Sequence, residues 1–432
     1  MVAIAVNKPR LAFAVQIGPN QLLRTVILRV RISLRKVIML NTHAEVPSHQ
    51  DGANYAPLLA QALTETTARV AEMHHAIARV PFSVLARVPF LALPSRLVQV
   101  VHDGIAGKVY GAVASLGSRA ILASDGLLPA PDGPAGRLAV GVRSAINGVF
   151  GDHLADSDSR LGYQMGFFAD GRPVSVAPDE LAACWPRPPR RVCLLIHGLS
   201  CDESCWSPGP AMAAGYGSRL EAELGYAPLY VRYNSGLAID DNSRRLAALL
   251  TLLSRNWPGV LDEIVLLGHS MGGLLARAAC QHAHEQQLAW LPRVSKVVCL
   301  GSPHQGARLE QLGRLATSAL NAIPITAPLG RIAQTRSIGI KNLGQGLRSP
   351  AWRGKTPPLL EGIAYRFIAG NLHSNPNHLL GHLLGDGLVT LGSATETGLH
   401  GDIARVRLGA VGHMGLLHDE RVYGLLRQWL SE

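Results

Sequence analysis

Residues 264–275 read Ile-Val-Leu-Leu-Gly-His-Ser-Met-Gly-Gly-Leu-Leu, and this stretch decides the fold. Its first four residues form an apolar run that is typical of a buried strand. The run ends at a Gly-x-Ser-x-Gly pentapeptide, Gly268–Gly272, and a helical pattern of small residues begins at Met271. In that context the glycines permit a sharp turn that holds the Ser270 hydroxyl out above the start of a helix. The pattern predicts a nucleophilic Ser270; a glycine-rich loop with an incidental serine is the alternative.

The basic charge of the chain is concentrated at its start. The 432 residues carry a net charge of +11, and the first 40 contain seven Lys or Arg and no Asp or Glu, which leaves +4 for the remainder. No basic stripe interleaved with aromatic residues is present, so we expect no nucleic-acid partner. Residues 1–50 are interpreted as a basic leader, disordered or not part of the native protein. A membrane-surface segment, a targeting peptide and sequence ahead of a true start at Met39 all stay open, and we favour the last.

Cysteine usage indicates a reducing compartment. Cys193, Cys280 and Cys299 lie in apolar patterns and are predicted to be buried thiols. Cys201 and Cys205 lie four residues apart in a predicted loop, so a local disulfide stays open, but the six cysteines form no disulfide framework or zinc spacing. No apolar run reaches the roughly 18–20 residues of a membrane span. We therefore expect a cytoplasmic protein, with association at a membrane surface left open.

Two regions follow the leader. Residues 51–158 carry helical patterns over about 55–80, 95–116 and 138–149, with a Pro/Gly-rich loop over 129–136, and are predicted to form a helical N-terminal region. A layer packed on the main domain is favoured over a docking or cap module for a lipid or a partner. Residues 159–432 open with a hairpin around Asp170–Gly171 and then alternate strand and helix patterns. This predicts an α/β fold: a mainly parallel sheet with helices on both faces.

The alternation after residue 190 can be assigned element by element. Strands are predicted at 191–196, 228–233, 263–267, 294–300, 363–369 and 403–408, and helices at 216–224, 242–257, 271–287 and 419–430. Residues 306–360 separate two of these strands by far more than a connection needs, and they are rich in Leu and Ile. A lid over an acyl pocket and an ordinary helical excursion are the two interpretations of this insertion.

A nucleophilic serine needs a base that a third group orients. For the acid we favour Asp386, in a glycine-flanked loop, over Asp402 and Asp419, the last of which helix capping explains. For the base we favour His413, because it lies between the last strand and the last helix, where a side chain can hang over the sheet edge. His418 is interpreted as a surface residue. Four further downstream histidines lie in loops that no strand directs, at positions 373, 378, 382 and 400.

An acyl-transfer intermediate also needs two backbone N–H donors for its oxyanion. Met271, directly after the serine, is predicted to supply one. Leu199 is predicted to supply the other, because the strand ending in Leu195–Ile196 is followed by a sharp His-Gly-Leu turn. His197 in that turn is interpreted as a structural hydrogen-bonding residue. No metal constellation is evident, and no cofactor is expected.

Four motifs occur in order along the chain. They are His-Gly-Leu at 197–199, Gly-His-Ser-Met-Gly-Gly at 268–273, Gly-Ser-Pro-His-Gln-Gly at 301–306 and Gly-Asp-Gly-Leu-Val at 385–389. Together they resemble the α/β-hydrolase superfamily, and within it the bacterial lipases and PGAP1-like esterases, whose third motif usually has Thr where Ser302 stands. The resemblance covers roughly residues 190–432. It implies a Ser270–Asp386–His413 triad, with Leu199 and Met271 as the oxyanion hole.

The resemblance implies a serine hydrolase that cleaves carboxylic esters, acting on a small-molecule or lipid ester. A thioesterase, an amidase or an acyltransferase uses the same triad and stays open. A hydrolase fold used only for binding is the alternative from another class, since fold alone does not fix function. A peripheral contact with a membrane or lipid surface stays open as a partner interaction.

Overall fold

The computed structural model describes most of the chain beyond residue 59. The described residues are scattered positions from Ala60 to Phe90, then 92–123, 134–156, 159, 161–207, 214–307, 337–347, 357–375, 385–395 and 399–432. The predicted leader at 1–50 lies outside them, as do residues 308–336 and 348–356 of the predicted insertion.

The apolar runs of the second half form a central sheet. Within the described residues it has eight strands, in the order β2-β1-β4-β3-β5-β6-β7-β8. They are β1 (Gly166–Ala169), β2 (Arg172–Val174), β3 (Arg191–Ile196), β4 (Tyr226–Arg232), β5 (Glu263–His269), β6 (Val294–Leu300), β7 (Ala364–Asn371) and β8 (Ile403–Gly409). Strands β3 to β8 run parallel, and the β1–β2 hairpin joins β4 antiparallel. The predicted mainly parallel α/β sheet is confirmed.

Helices cover both faces of the sheet. The helices in the described part of the chain from residue 92 onward are α1 (Ala92–Ala123), α2 (Pro134–Asp156), α3 (Pro178–Cys184), α4 (Tyr216–Leu224), α5 (Ile239–Asn256), α6 (Met271–Glu285), α7 (Ile338–Gln345), α8 (Leu391–Thr395) and α9 (Glu420–Ser431). Alternate residues of β3 point to opposite faces. Leu194 packs with α5 and α6, whereas Leu195 packs with α4 and α9. Strands buried on both sides explain why the sequence shows continuous apolar runs.

The described part of the N-terminal region is helical, and its last helix, α2, is part of the main core. Ile146, Val149 and Leu154 of α2 are buried in the same cluster as α5 and α6. The predicted Pro/Gly-rich loop over 129–136 is wrong at its end, because α2 already begins at Pro134, and proline is tolerated in the first turn of a helix. The domain boundary at 158/159 stays a prediction.

Several element boundaries differ from prediction for local reasons. Helix α5 begins at Ile239 rather than at Asn242, whose side-chain amide donates to the Asn234 carbonyl instead of capping the helix. Strand β5 runs past Gly268 to His269, which still pairs with Leu300 of β6. The sequence does not predict α3 and α8, because helices of seven and five residues are too short to show a periodicity.

All six cysteines lie in the described residues and are free thiols. Cys193, Cys280 and Cys299 are buried, as predicted. Cys201 and Cys205 are hydrogen-bonded neighbours rather than a disulfide, so the local disulfide left open by the sequence is not formed. Among the described helices, none combines the length and apolar character needed to cross a bilayer.

Candidate active site

Ser270 occupies the turn between β5 and α6 in a strained backbone conformation. Its φ is 54° and its ψ −120°, a region that a non-glycine residue enters at a cost of about 1–3 kcal/mol. The flanking glycines permit the turn: a Cβ at Gly268 would lie 2.3 Å from the Gly273 nitrogen, and one at Gly272 would lie 2.2 Å from the Ile196 carbonyl oxygen. The predicted strand–turn–helix context of the pentapeptide is confirmed.

The side chain of Ser270 is buried rather than held out in solvent. The residue is 3% exposed, which corrects the sequence-based expectation of an exposed hydroxyl. The loop after β3 covers it, since a Cβ at Gly198 would lie 3.0 Å from the Ser270 Cβ. A substrate must therefore enter between loops to reach this serine.

His413 and Asp386 form a buried pair. The His413 Nδ1 lies 2.7 Å from the Asp386 Oδ2, and the two residues are 5% and 3% exposed. Since an ionised carboxylate only accepts hydrogen bonds, His413 donates through Nδ1, and Nε2 is the ring nitrogen that remains to act as a base. The structure thus brings together two of the three predicted triad residues.

The Asp386 carboxylate is held by its own loop. Its Oδ1 accepts the backbone N–H groups of Leu388 (3.0 Å) and Val389 (2.8 Å). Burial alone would raise the pKa of Asp386, but the charge and hydrogen bond of His413 and the two N–H donors outweigh burial and hold that pKa below its ordinary value. The backbone N–H of His413 donates to the Asp386 carbonyl at 3.0 Å, which ties the two loops to each other.

The strand ends place Ser270 at the same rim of the sheet as this pair. The Ser270 N–H donates to the carbonyl of Leu300 at 2.8 Å. A Cβ at the next residue, Gly301, would lie 3.0 Å from the Asp386 Oδ2 and 3.1 Å from the His413 Nδ1. Residue 301, directly after β6, therefore has to be a glycine for β6 to end between the Ser270 turn and the His413–Asp386 pair. The sequence analysis does not predict this requirement.

His269 is a site residue that the sequence analysis misses. Its Nε2–H donates to the His413 carbonyl at 3.0 Å, and the two rings lie 4.7 Å apart. Burial, and then the charge of His413, lower the pKa of His269 to about 3, so this imidazole is neutral. His269 thereby fixes the backbone of the predicted base. The motif Gly-His-Ser contains the residue, but nothing in its spacing indicates a partner 144 positions away.

The rival candidates are engaged elsewhere. Asp402 pairs with Arg366 at 2.8 Å, and Asp419 caps α9 through the Arg421 N–H, as predicted. His373 contacts the backbone of Asn375. His400 is exposed and His418 closes a short 3₁₀ turn, whereas residues 378 and 382 lie outside the described part of the chain.

The two predicted oxyanion donors flank the serine turn. Met271 is the first residue of α6, where helix geometry leaves the N–H without an intrahelical acceptor. Leu199 is buried in the turn after β3. In the same turn the His197 Nε2 accepts the Tyr233 N–H (3.2 Å), and its Nδ1 donates to the Gly198 carbonyl (2.8 Å). Burial lowers the pKa of His197 to about 4, so His197 is a neutral structural residue, as interpreted from the sequence.

The third motif, residues 301–306, contacts α6 and β7 through His304. His304 Nδ1 lies 2.9 Å from the buried Arg277 guanidinium on α6, and the His304 ring packs edge-on against Phe367 of β7. Burial and the nearby Arg277 charge place the pKa of His304 well below its ordinary value. Within the described residues no group of three or more His, Cys, Asp or Glu has an arrangement that holds a metal ion.

A comparison with known protein families matches the segment that contains Ser270. A family model described as the PGAP1-like alpha/beta domain matches residues 235–323, which contain β5, Ser270, α6 and β6. The match covers about a fifth of the chain, and it lies within the mainly parallel sheet and its covering helices. The segment around Ser270 is therefore similar to the PGAP1-like alpha/beta domain.

The solved structures similar to this chain are distant. A lipase-esterase related protein from Clostridium acetobutylicum is 15% identical, with 56% of this chain and 94% of that chain covered and a TM-score of 0.34. The thioesterase of the prodiginine pathway of Streptomyces coelicolor is 14% identical (58% and 99% covered, TM-score 0.36), and Staphylococcus hyicus lipase is 14% identical (57% and 96% covered, TM-score 0.36). No curated protein sequence matches the chain significantly. At these TM-scores the structural neighbours carry no argument about the reaction.

Proposed function

We propose that the chain is a serine hydrolase that cleaves carboxylic esters through a covalent acyl-enzyme. The observation that carries the proposal is the buried His413–Asp386 pair at the sheet rim where Ser270 occupies a strained turn. A serine is a weak nucleophile, and it reacts when a base takes its proton and an acid orients that base. His413, which donates through Nδ1 to Asp386, suits the role of base, and the ionised Asp386 suits that of the orienting acid.

The reaction proceeds in two halves. His413 Nε2 removes the Ser270 proton as the oxygen attacks the ester carbonyl, and Asp386 stabilises the imidazolium that forms. The N–H groups of Met271 and Leu199 stabilise the oxyanion of the tetrahedral intermediate. His413 then gives its proton to the departing alkoxide, which leaves as an alcohol. In the second half His413 activates a water molecule, which releases the acid and regenerates Ser270.

The proposed substrate is a small or lipid ester rather than a charged polymer. Apolar side chains dominate the core around the site, and the acidic groups of the site are buried and already paired. A thioester or an activated amide reacts through the same intermediate. Matched oxyester and thioester substrates with one acyl group distinguish these functions through their kcat/KM values.

Hydrolysis of a p-nitrophenyl ester series tests the proposal. We expect the wild-type protein to release p-nitrophenol and Ser270→Ala to lose at least about 10³-fold in kcat. Ser431→Ala, which removes an exposed hydroxyl on α9, is the matched control and should keep full activity. A wild-type rate no higher than that of Ser270→Ala would refute the proposed function.

A further inference from the structure

The loop that carries Leu199 rests directly on helix α2. A Cβ at Gly148 of α2 would lie 2.0 Å from the Ser200 Oγ and 2.8 Å from the Ser200 nitrogen. Ser200 itself has a φ of 58°, and its N–H donates to the Ser235 Oγ at 3.0 Å. The residue after the predicted oxyanion donor is therefore held between α2 and the loop that follows β4.

A second contact from α2 fixes the far end of the same loop. The Ser144 Oγ donates to the Asp202 Oδ2 at 2.6 Å, and the Tyr163 hydroxyl donates to the same oxygen at 3.1 Å. Asp202 is 2% exposed, and a buried carboxylate that loses a donor bears a desolvation cost. Burial tends to raise the pKa of Asp202, but the hydroxyl donors of Ser144 and Ser204 help to hold it below its ordinary value.

A third contact follows the kink of α2 at Phe150, where φ is −125° and ψ is 18°. A Cβ at Gly151 would lie 1.9 Å from the Asn234 Oδ1, and the Asn234 side-chain amide donates to the Gly151 carbonyl at 2.8 Å. Ser144, Gly148 and Gly151 thus form a contact face that meets the loops after β3 and β4. Gly141, on the same helix, has open space where its Cβ would be.

We infer that α2 is a positioning element of the oxyanion hole, with Ser144 and Gly148 as its positioning residues. The inference rests on the proposed function and assigns a role to a helix that lies outside the four motifs and the matched family segment. Oxyanion donors contribute only when they are held in place before the reaction, and a displacement of about 1 Å costs on the order of 10²-fold in rate. A side chain at position 148 displaces Ser200 and, with it, the Leu199 N–H.

The test compares two glycine substitutions on one helix in the full-length protein. Gly148→Ala should lower kcat about 10²-fold with KM within twofold, and should weaken inhibition by a trifluoromethyl ketone to the same extent, because this inhibitor forms an oxyanion on Ser270. Gly141→Ala should retain the wild-type kcat and inhibitor affinity. Adding Ser200→Gly to Gly148→Ala should restore part of kcat, because it removes the Oγ contact and suits the positive φ.

Two results would overturn the inference. One is a wild-type kcat and ketone affinity in Gly148→Ala; the other is a loss of activity that Ser200→Gly does not relieve and that follows only the fraction unfolded, measured by circular dichroism. Failure of the proposed function is distinguishable, because it appears as equal rates for the wild type and Ser270→Ala before any α2 variant is compared.

An independent observation concerns the exposed side of α1. Nine apolar side chains of this helix have exposed fractions between 49% and 72%, whereas a monomeric protein rarely exposes a contiguous apolar patch of this extent. They span about 35 Å of helix, from 93 to 116. The nine, which we call the α1 apolar face, are Leu93, Leu97, Val98, Val100, Val101, Ile105, Val109, Val113 and Leu116.

The charges of α1 indicate what covers this face. Its exposed charged side chains, Arg96, Lys108 and Arg119, are all basic. The carboxylate of Asp103 points elsewhere, 3.1 Å from both His75 and His102. An exposed apolar helix with basic side chains matches the chemistry of an anionic lipid surface, where apolar groups enter the acyl boundary and cations contact the headgroups. We propose that α1 docks the protein on such a surface.

Sedimentation with phosphatidylcholine vesicles, with and without phosphatidylglycerol, tests the docking. The wild type should sediment with the anionic vesicles and lose most of this binding at 0.5 M salt, and Val101→Asp/Ile105→Asp should bind at least about tenfold more weakly. Val260→Asp, at a 62% exposed position far along the chain, is the control and should bind like the wild type. Absence of vesicle binding would overturn the proposal. A dimer of the wild type that Val101→Asp/Ile105→Asp dissociates would also overturn it, because a second copy would then cover the face. So would vesicle binding that occurs only after residues 1–59 are removed, because those residues would then cover the face.

Discussion

Asp386 is the residue whose role the geometry specifies most narrowly. Two backbone N–H groups hold one carboxylate oxygen, and His413 uses the other, so neither oxygen is available for an unrelated task. The lowered pKa of Asp386 keeps the carboxylate ionised through the neutral range, although burial opposes this. The histidine is thereby fixed in the tautomer that leaves Nε2 unprotonated.

Asp386→Asn should keep the fold and lose the reaction. An amide can donate to His413 Nδ1 and so favours the wrong tautomer, and we expect kcat to fall about 10³–10⁴-fold with a small change in KM. Steady-state kinetics on a p-nitrophenyl ester measure both values. Asp402→Asn, whose carboxylate is 65% exposed and pairs with Arg366, is the control and should leave kcat unchanged. An Asp386→Asn enzyme with wild-type kcat would mean that another group orients His413.

The proposed catalytic residues can be selected from the sequence because each lies in a short motif with a known backbone requirement. Ser270, Asp386 and His413 each follow a strand, and the sequence predicts all three from that context. Residues that act through them are not visible. His269 and Ser144 meet their partners across 144 and 58 positions, and no local pattern encodes such a contact.

Helix α6 packs directly on the end of β3, and this contact fixes how closely the turn that carries Ser270 approaches the strand. A Cβ at Gly272 would lie 2.2 Å from the Ile196 carbonyl oxygen and 2.6 Å from that of His197, both of which are backbone atoms that cannot rotate away. The strand and the helix therefore have to separate if any side chain is added at this position.

Gly272→Ala should consequently destabilise the protein although alanine favours helix. We expect the free energy of unfolding to fall by about 1–3 kcal/mol, the usual cost of overpacking, as measured by urea denaturation. Gly424→Ala on α9 is the matched control: its Cβ meets nothing within 4 Å, so the change should be neutral or stabilise by up to about 1 kcal/mol. Equal free energies of unfolding for the two variants would contradict the close approach.

Element type is largely predictable here, and element boundaries are not. Strand β6 and helix α4 lie where the sequence predicts them, because apolar runs and helical stripes report burial directly. Helix α5 begins at Ile239 without a side-chain cap, and the Asn242 amide donates to the Asn234 carbonyl instead, so no capping residue marks its start. The importance of α2 is hidden for a related reason: Gly148 and Gly151 weaken a helix in isolation and make sense only against the loops that they touch.

At the scale of the whole molecule, the stability depends on pH through two described histidines, His269 and His197, that are buried in their neutral form. Burial lowers the pKa from 6.5 to about 3 for His269 and to about 4 for His197. In the unfolded chain both return to about 6.5, so the unfolded state binds more protons below that pH. The free energy of unfolding is therefore at its full value above about pH 6.5. The free energy of unfolding decreases as the pH falls from 6.5 toward 4 for His197 and toward 3 for His269. Each histidine contributes at most about 1.4 kcal/mol per pH unit to this decrease.

Urea denaturation at pH 7.5, 6.0 and 5.0 checks this dependence. The unfolding free energy should decrease from pH 6.0 to 5.0, and His269→Gln should show a shallower decrease than the wild type. His400→Gln, at an exposed position, should keep the wild-type slope. A stability that is constant across these pH values would show that neither histidine is buried in its neutral form.

Labelling with a fluorophosphonate probe, followed by peptide mass spectrometry, measures the nucleophile directly. The probe forms a covalent bond only with a serine that a base activates and an oxyanion hole receives. We predict an adduct on Ser270 that is absent from Ser270→Ala and forms at least about 10²-fold more slowly in His413→Ala. An unlabelled Ser270 in the folded wild type, or labelling at the wild-type rate in His413→Ala, would contradict a catalytic serine activated by His413.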